Sequence, residues 1–457
     1  MRHCHFVHLS LMMLILSAAL PEEAHAQQPQ VLKNVRLIDG TGAPPQEHVD
    51  LVIENGLIAS VTPTGTSSLP ADAAVIDYSG KTVVPGLISV HSHIGQNEGM
   101  KGDNTVYNRE NILKQLRTYE AYGVTTVTAL GMNLPLIYEI RDDVRSGKIP
   151  GADLFSGDRG VGVLKGNPGV SPSRVGPDQL DRPLTVDEAR AAVRDAVARG
   201  ADIIKIWVDG SRGKVPRMKQ EIIEAIIEEA HQNQLKVAAH IFTLEDAKTA
   251  VRAGIDMIAH GVRDRPVDPE FIQLLKTHNV WYVPTIVLDY SFYIYAEDPT
   301  LVTNPFSKPA LPIDVARHFA NPEWREKTMK ASGTAGRRTN VEMNQRNTAL
   351  LHDAGVKIAF GTDSGASPER IPGLGEHQEL ALLNGAGLDP MEIILIATRN
   401  SAAVLGLTDR GVLTPGKRAD LIVLDGDPLD DIRNMRKIIA VWNKGRLASG
   451  PVAEFKQ

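Results

Sequence analysis

An apolar run ends in Val90-His91-Ser92-His93, two histidines one residue apart. In a strand, positions i and i+2 project to the same face. Both imidazoles can then reach one metal ion at the strand's C-terminal end, and histidine nitrogen is a preferred ligand of zinc. Taken alone, such a pair is more often two ordinary half-buried histidines.

Further polar residues follow at matching places. Lys205 sits inside the apolar run Ile203-Ile204-Lys205-Ile206-Trp207-Val208. His240 closes Lys236-Val237-Ala238-Ala239-His240, His260 closes Ile255-Asp256-Met257-Ile258-Ala259-His260, and Asp363 closes the run from Val356 to Asp363. Chemistry-bearing side chains at or near the C-terminal ends of successive strands mark the catalytic face of a parallel (β/α) barrel.

With these motifs in order (PGLISVHSH, IKIWVDG, AAHIF, IAHGV and GTDSG), the chain resembles the amidohydrolase superfamily, in its imidazolonepropionase-like and prolidase-like metal-dependent hydrolase branch. The resemblance runs from about residue 31 to 447, and no ligand position departs from it.

It implies two divalent metal ions, with Zn2+ the first choice. His91, His93 and Asp363 would hold the buried ion, and His240 and His260 the outer one. Lys205 would bridge them as an N-carboxylated lysine, a carbamate. A lysine ammonium beside two cations is repelled and is no ligand, whereas a carbamate is an anion with two oxygens. The other reading of Lys205 is a buried lysine paired with Asp209.

The resemblance also implies a metal-bridging hydroxide nucleophile, with Asp363 as the catalytic proton shuttle. The implied reaction is cleavage of a C–N amide bond in a small substrate, a dipeptide or an N-acyl amino acid. The sharpest version is an Xaa-Pro-type dipeptidase. The alternatives are a hydrolase of cyclic amides or imidazolones, and a non-catalytic periplasmic binding protein. The second would be expected to have lost ligands.

Arg263, Trp207 and His377 are the candidate substrate contacts. Arg263 could hold a substrate carboxylate through paired hydrogen bonds, with Arg174 as a second candidate. Arg263 could equally pair with Asp264 or Asp256.

These residues need a scaffold. The middle of the chain alternates strand and helix patterns, which calls for a parallel sheet. Eight strands are expected at 87–93, 125–131, 153–157, 203–208, 236–241, 257–262, 280–287 and 357–362. Thr185 with Glu188 forms a capping box for a helix ending near Gly200. The expected fold is α/β: a (β/α)8 TIM-type barrel over 85–411. A doubly wound nucleotide fold is disfavoured, because no G-x-G-x-x-G follows the first strand.

Strand patterns with turn signals at Asp39-Gly40, Asn55-Gly56 and Asn443-Lys444-Gly445 occupy both ends. They predict a small β-sandwich domain formed by both termini, 27–84 and 412–457. Long connections at 94–107, 160–183 and 288–339 are expected to wall the pocket, the third being equally suited to surface decoration or a subunit contact.

Residues 1–26 read as a signal peptide. Arg2 precedes an apolar stretch at 9–20, and Ala24-His25-Ala26 offers a cleavage site. The stretch is shorter than the ~20 residues a spanning helix needs. The expected location is periplasmic or secreted.

Net charge is −6, and −5 once one cation and two anions leave with residues 1–26. No basic block suggests nucleic acid, and no segment of the mature chain suggests a membrane span. The lone cysteine, Cys4, falls in the leader, so no disulfide is expected. The expected partner is a small-molecule amide substrate, with homo-oligomer formation left open.

Overall fold

The computed structural model describes residues 28–169 and 176–448. The expected leader and Arg174 lie outside the described residues.

Strand β1 (Gln30–Leu37) pairs antiparallel with β2 (Gln46–Glu54), and β2 with β3 (Leu57–Pro63). The β2–β3 turn is Asn55-Gly56, with φ of +51° and +79°. Left-handed backbone at both positions matches the twist of the flanking strands. Strands β4 (Ala74–Asp77) and β5 (Thr82–Pro85) run parallel to β1.

The chain then enters the middle region. β6 (Leu87–Ser92), β7 (Val124–Ala129) and β8 (Asp153–Ser156) form one parallel sheet. β9 (Ile204–Trp207), β10 (Val237–His240), β11 (Met257–Ala259) and β12 (Trp281–Val283) form another. Helices lie between them, and the one at Val186–Arg199 has the expected cap: Thr185 accepts from the Glu188 amide, and Gly200 is left-handed.

The core is barrel-like, but the described strands are not one closed eight-stranded sheet. The seams are single bridges: Val161 with Ile206, Tyr282 with Ile358, and Ser92 with Ser364. The eighth expected strand is therefore a bridging segment between β12 and β6. Asp363 has φ +60° and Gly365 φ +83°, so the chain turns where a ladder would need extended backbone. At Gly361 a Cβ would sit 2.7 Å from that of His91, so the segment can approach β6 only with a glycine there.

The chain returns to the first sheet through β13 (Leu421–Leu424), β14 (Ile438–Asn443) and β15 (Arg446–Leu447), with β13 antiparallel to β5. The expected sandwich is instead one eight-stranded sheet, ordered β15-β14-β13-β5-β1-β2-β3 with β4 on β1. It curls back on itself, since Leu57 of β3 bridges Arg418 just before β13. Both faces of β5 and β13 are buried. Val83, Leu421 and Val423 join a cluster with Trp442, while Val84, Ile422 and Leu424 join the core under the barrel. A sheet covered on both sides reads as continuous apolar runs, so strand-rich segments at the two ends of the chain do not declare whether they form one layer or two.

The connection at 288–339 is not a loop. It holds helices at Val287–Glu297, Thr300–Thr303, Ile313–Ala320 and Pro322–Lys330, and the start of Ser332–Asp353. Asn321 caps the helix that begins with Pro322, a start signal in the sequence. The aromatic residues of this stretch turn inward, with Tyr293 and Tyr295 buried. Among the described residues no helix is long and apolar enough to cross a membrane.

Candidate metal centre

Backbone pairing at the C-terminal ends of the barrel strands sets the site. The amides of Thr362 and Asp363 both donate to the His91 carbonyl, at 2.9 and 2.8 Å, and the His93 amide donates to Ser364 O at 2.7 Å. These bonds lock the Asp363 turn against the end of β6. His91 Nε2 and His93 Nε2 then lie 3.2 and 3.0 Å from Asp363 Oδ1. Ligand atoms of all three residues fall within 4.8 Å of one another.

The other expected ligands surround this trio. Lys205 Nζ lies 3.4 Å from His91 Nε2. The His260 ring centroid is 4.5 Å from that of His91 and 4.4 Å from that of His240. His260 Nδ1 is 2.8 Å from Thr285 Oγ1. His240 Nε2 is 2.8 Å from Asp209 Oδ2, so Asp209 pairs with His240 and not with Lys205. The structure thus brings His91, His93, Lys205, His240, His260 and Asp363 together.

The electrostatics suit metal coordination. Burial first, and Lys205 second, push His91 down to about 3, so it is a neutral imidazole with a lone pair to give. Burial also lowers His260 strongly, and His240 despite Asp209 beside it. Burial brings Lys205 down to about 7. For Asp363, burial alone would raise the pKa, but Arg370 and the hydrogen bonds to His91 and His93 outweigh it and hold it well below the usual carboxylate range. A buried set of neutral imidazoles around a carboxylate fits a divalent metal. The buried Nδ1 atoms of His91 and His93 have no hydrogen-bond partner among the described residues, which leaves a ring nitrogen of each uncommitted.

The amidohydrolase family model matches residues 82–448. The chain belongs to this family. It is a metal-dependent hydrolase. Over 461 aligned residues it is 27% identical to ochratoxinase from Aspergillus niger, covering 91% of this chain and 85% of that protein. The crystal structure of an Xaa-Pro dipeptidase with methionine bound in its active site is similar at TM-score 0.73 and 26% identity, covering 93% of this chain and all of that one. A putative prolidase from Bifidobacterium longum is similar at TM-score 0.74 and 26% identity, over 93% and 95% of the two chains.

This hydrolase opens its metal centre into a cavity of about 630 Å3. Trp207 and Arg263, two expected substrate contacts, line it. The Trp207 ring lies 5.3 Å from Lys205 Nζ. Arg263 pairs with neither Asp264 nor Asp256; it meets Asp289 at 3.4 Å and donates to Ile241 O at 3.1 Å.

His377 lies apart from this cavity. Its Nε2 is 2.9 Å from Tyr122 O, and its ring packs against Phe306. On the helix Leu374–Gly385 it is buried against Tyr122 and Phe306 and does not join the cavity lining.

Four contributors to the cavity were not singled out in the sequence. Arg370 pairs with Asp363 Oδ2. Asp289 and Arg337 come from the helical insertion, and Arg212 from the loop after β9. Arg370, seven residues past Asp363, could have been suspected from proximity. Nothing in the periodicity marks the others.

Proposed function

We propose that the protein is an exported binuclear hydrolase that cleaves the amide C–N bond of a small substrate, a dipeptide or an N-acyl amino acid, with a free carboxylate on the leaving side. His91, His93 and Asp363 would hold one divalent metal, His240 and His260 the other, and carboxylated Lys205 would join them. Bound there, the metals would supply an activated water and polarise the amide carbonyl.

The observation that carries this reading is Lys205. It is fully buried and forms no ion pair among the described residues. A buried lysine without an ion-pair partner is costly as an ammonium, and a neutral amine is what carbon dioxide can carboxylate. Asp363 takes a proton from the attacking water and delivers it to the leaving nitrogen, with Arg370 holding its other oxygen in place. The Trp207 face and the Arg263 side orient the substrate in the cavity. A dipeptide fits the similarity to an Xaa-Pro dipeptidase.

The test is metal analysis of the purified protein together with a screen of dipeptides, N-acyl amino acids and cyclic amides. Two metals per chain and turnover of a linear amide are expected. One metal per chain, or turnover of cyclic substrates alone, would overturn it. Export is supported by the Ala24-His25-Ala26 site after an apolar stretch. Mass spectrometry of exported protein should give Gln27 as the first residue; an intact Met1 would refute cleavage.

A further inference from the structure

One wall of the cavity is a continuous arc of guanidinium groups. Arg212 Cζ lies 4.3 Å from the Phe242 ring centroid, and Arg263 Cζ lies 4.8 Å from the same centroid. Arg263 then meets Asp289 at 3.4 Å, and Arg337 meets the other Asp289 oxygen at 3.3 Å. Arg337 Cζ is 3.5 Å from the Phe292 ring centroid, and Arg370 Cζ is 5.1 Å from it. Arg370 closes the arc on Asp363. Arg212 is also tied across to the insertion, donating to Asn340 at 3.1 Å, one helical turn from Arg337.

The arrangement is orderly and under-neutralised. Flat guanidinium groups lie against two aromatic rings, which fixes the direction of their N–H forks. Asp289 is the one carboxylate inside the arc, and both its ion pairs are long. Glu369 acts on Arg337 but forms no ion pair among the described residues. Asp363 is committed to the metal centre. Four guanidinium groups and Lys214 therefore share the cavity with three carboxylates, of which Asp363 and Asp209 are taken up by the site histidines and Asp289 alone answers the arc. Burial and the charge of Arg370 hold Arg337 below the usual guanidinium range, although Asp289 and Glu369 oppose this. Like charges held this close repel, and an anion that enters relieves the repulsion.

Ser211 and Arg212 both have left-handed backbone, φ +49° and +60°. Neither is glycine, so the loop holds strain while placing Arg212 on the wall.

We propose that the arc selects amide substrates carrying two carboxylates, as in a dipeptide with a C-terminal aspartate or glutamate. This rests on the amide-hydrolase reading above and names its substrate class. One carboxylate meets Arg337 beside Asp289, and the second meets Arg212 at the mouth. Arginine forks suit paired hydrogen bonds to carboxylate oxygens.

Two measurements separate this inference from the reading beneath it. The first needs no turnover: thermal melting of the wild-type protein with glutarate or with butyrate. Glutarate should raise the melting temperature clearly more than butyrate at equal concentration. The extra shift should vanish in Arg212→Met and in Arg337→Met, which keep the apolar stem. Equal shifts from the two acids, or an undiminished glutarate shift in both variants, would overturn the proposal.

The second is a comparison of Ala-Glu, Ala-Ala and Ala-Ala amide as substrates. The acidic dipeptide should have a kcat/KM at least about tenfold above that of Ala-Ala, mostly through KM. Arg337→Lys, a point charge without the fork, should recover only part of the difference. If Ala-Ala is cleaved as well as Ala-Glu, the dicarboxylate class is wrong while the amide reading stands. If glutarate binds as expected but no amide is cleaved, the arc stands as an anion site and the amide reading fails.

Discussion

Ser364 Oγ donates to Glu376 Oε1 at 2.6 Å, directly beneath the turn that carries Asp363. Thr362 Oγ1, on the other side of Asp363, donates to the same oxygen at 2.5 Å. One fully buried carboxylate therefore brackets the metal-centre aspartate. Glu376 Oε2 accepts from the Gly373 amide at 2.9 Å, and Tyr119 OH lies 3.0 Å from Ser364 Oγ. Burial raises the Glu376 pKa against these hydrogen bonds. Asp363 needs such support, because a non-glycine residue at φ +60° is strained.

Glu376→Ala should orphan the buried Gly373 amide and leave the Thr362 and Ser364 hydroxyls only each other and Tyr119 as partners. A loss of about 1–3 kcal/mol is expected for such an orphaned group, read as a lower urea midpoint. Metal retained after dialysis should fall as well. Glu376→Gln keeps an acceptor oxygen and should do less on both counts. Unchanged stability and metal content in Glu376→Ala would show that the bracket is dispensable.

Lys205→Ala should lose activity and metal, and short carboxylic acids should restore part of both by replacing the missing oxygens. Lys205→Arg cannot form a carbamate and should stay inactive. Wild-type turnover in Lys205→Arg would end the bridging assignment.

Much of this site was legible because strands repeat every two residues and parallel barrels place function at one end. His91 and His93 share a face for that reason, and Lys205, His240 and His260 close or sit within short apolar strands. The cap at Thr185 and Glu188 was legible because its chemistry is local. The rest was not local. Arg337 and Asp289 lie on helices of a segment that looked like a loop, and they reach the cavity only through tertiary packing. His377 follows Asp363 closely in sequence, yet its helix buries it against Tyr122 and Phe306, away from the cavity. The single curled sheet escaped notice because β5 and β13 serve two cores at once, and apolar runs do not say how many layers they separate.

Asp363→Asn removes the proton carrier and an anionic ligand of the first metal while keeping the shape, so metal content is measured beside turnover. Turnover should fall by about two to four orders of magnitude, the usual worth of a positioned acid or base. The affinity for a substrate analogue should change little, since the Arg263 and Trp207 walls remain. A fall of less than about threefold, under ~1 kcal/mol in barrier, would remove Asp363 from proton transfer.

Asp153 on β8 joins the barrel to the terminal sheet. It meets Arg410 at 2.6 Å, Arg418 at 2.5 Å and Lys444, and the last two flank β13 and β14. Burial alone would raise its pKa, but Arg418, Lys444 and Arg410 together bring it down to about 2. An unfolded aspartate titrates near ~3.9. The folded value is depressed, so the stabilisation is complete above the unfolded pKa and is lost as pH falls through the folded one. The contribution is roughly 2–3 kcal/mol near neutral pH. Stability measured by urea unfolding should therefore decline as pH falls below about 4, with part of that decline belonging to Asp153. Asp153→Asn should cost about 3–5 kcal/mol at neutral pH, because it leaves buried cations without their partner. The variant should also show a shallower acid decline than wild type. Parallel pH profiles in the two proteins would mean that other carboxylates carry the acid sensitivity and that this cluster does not couple the two parts of the fold.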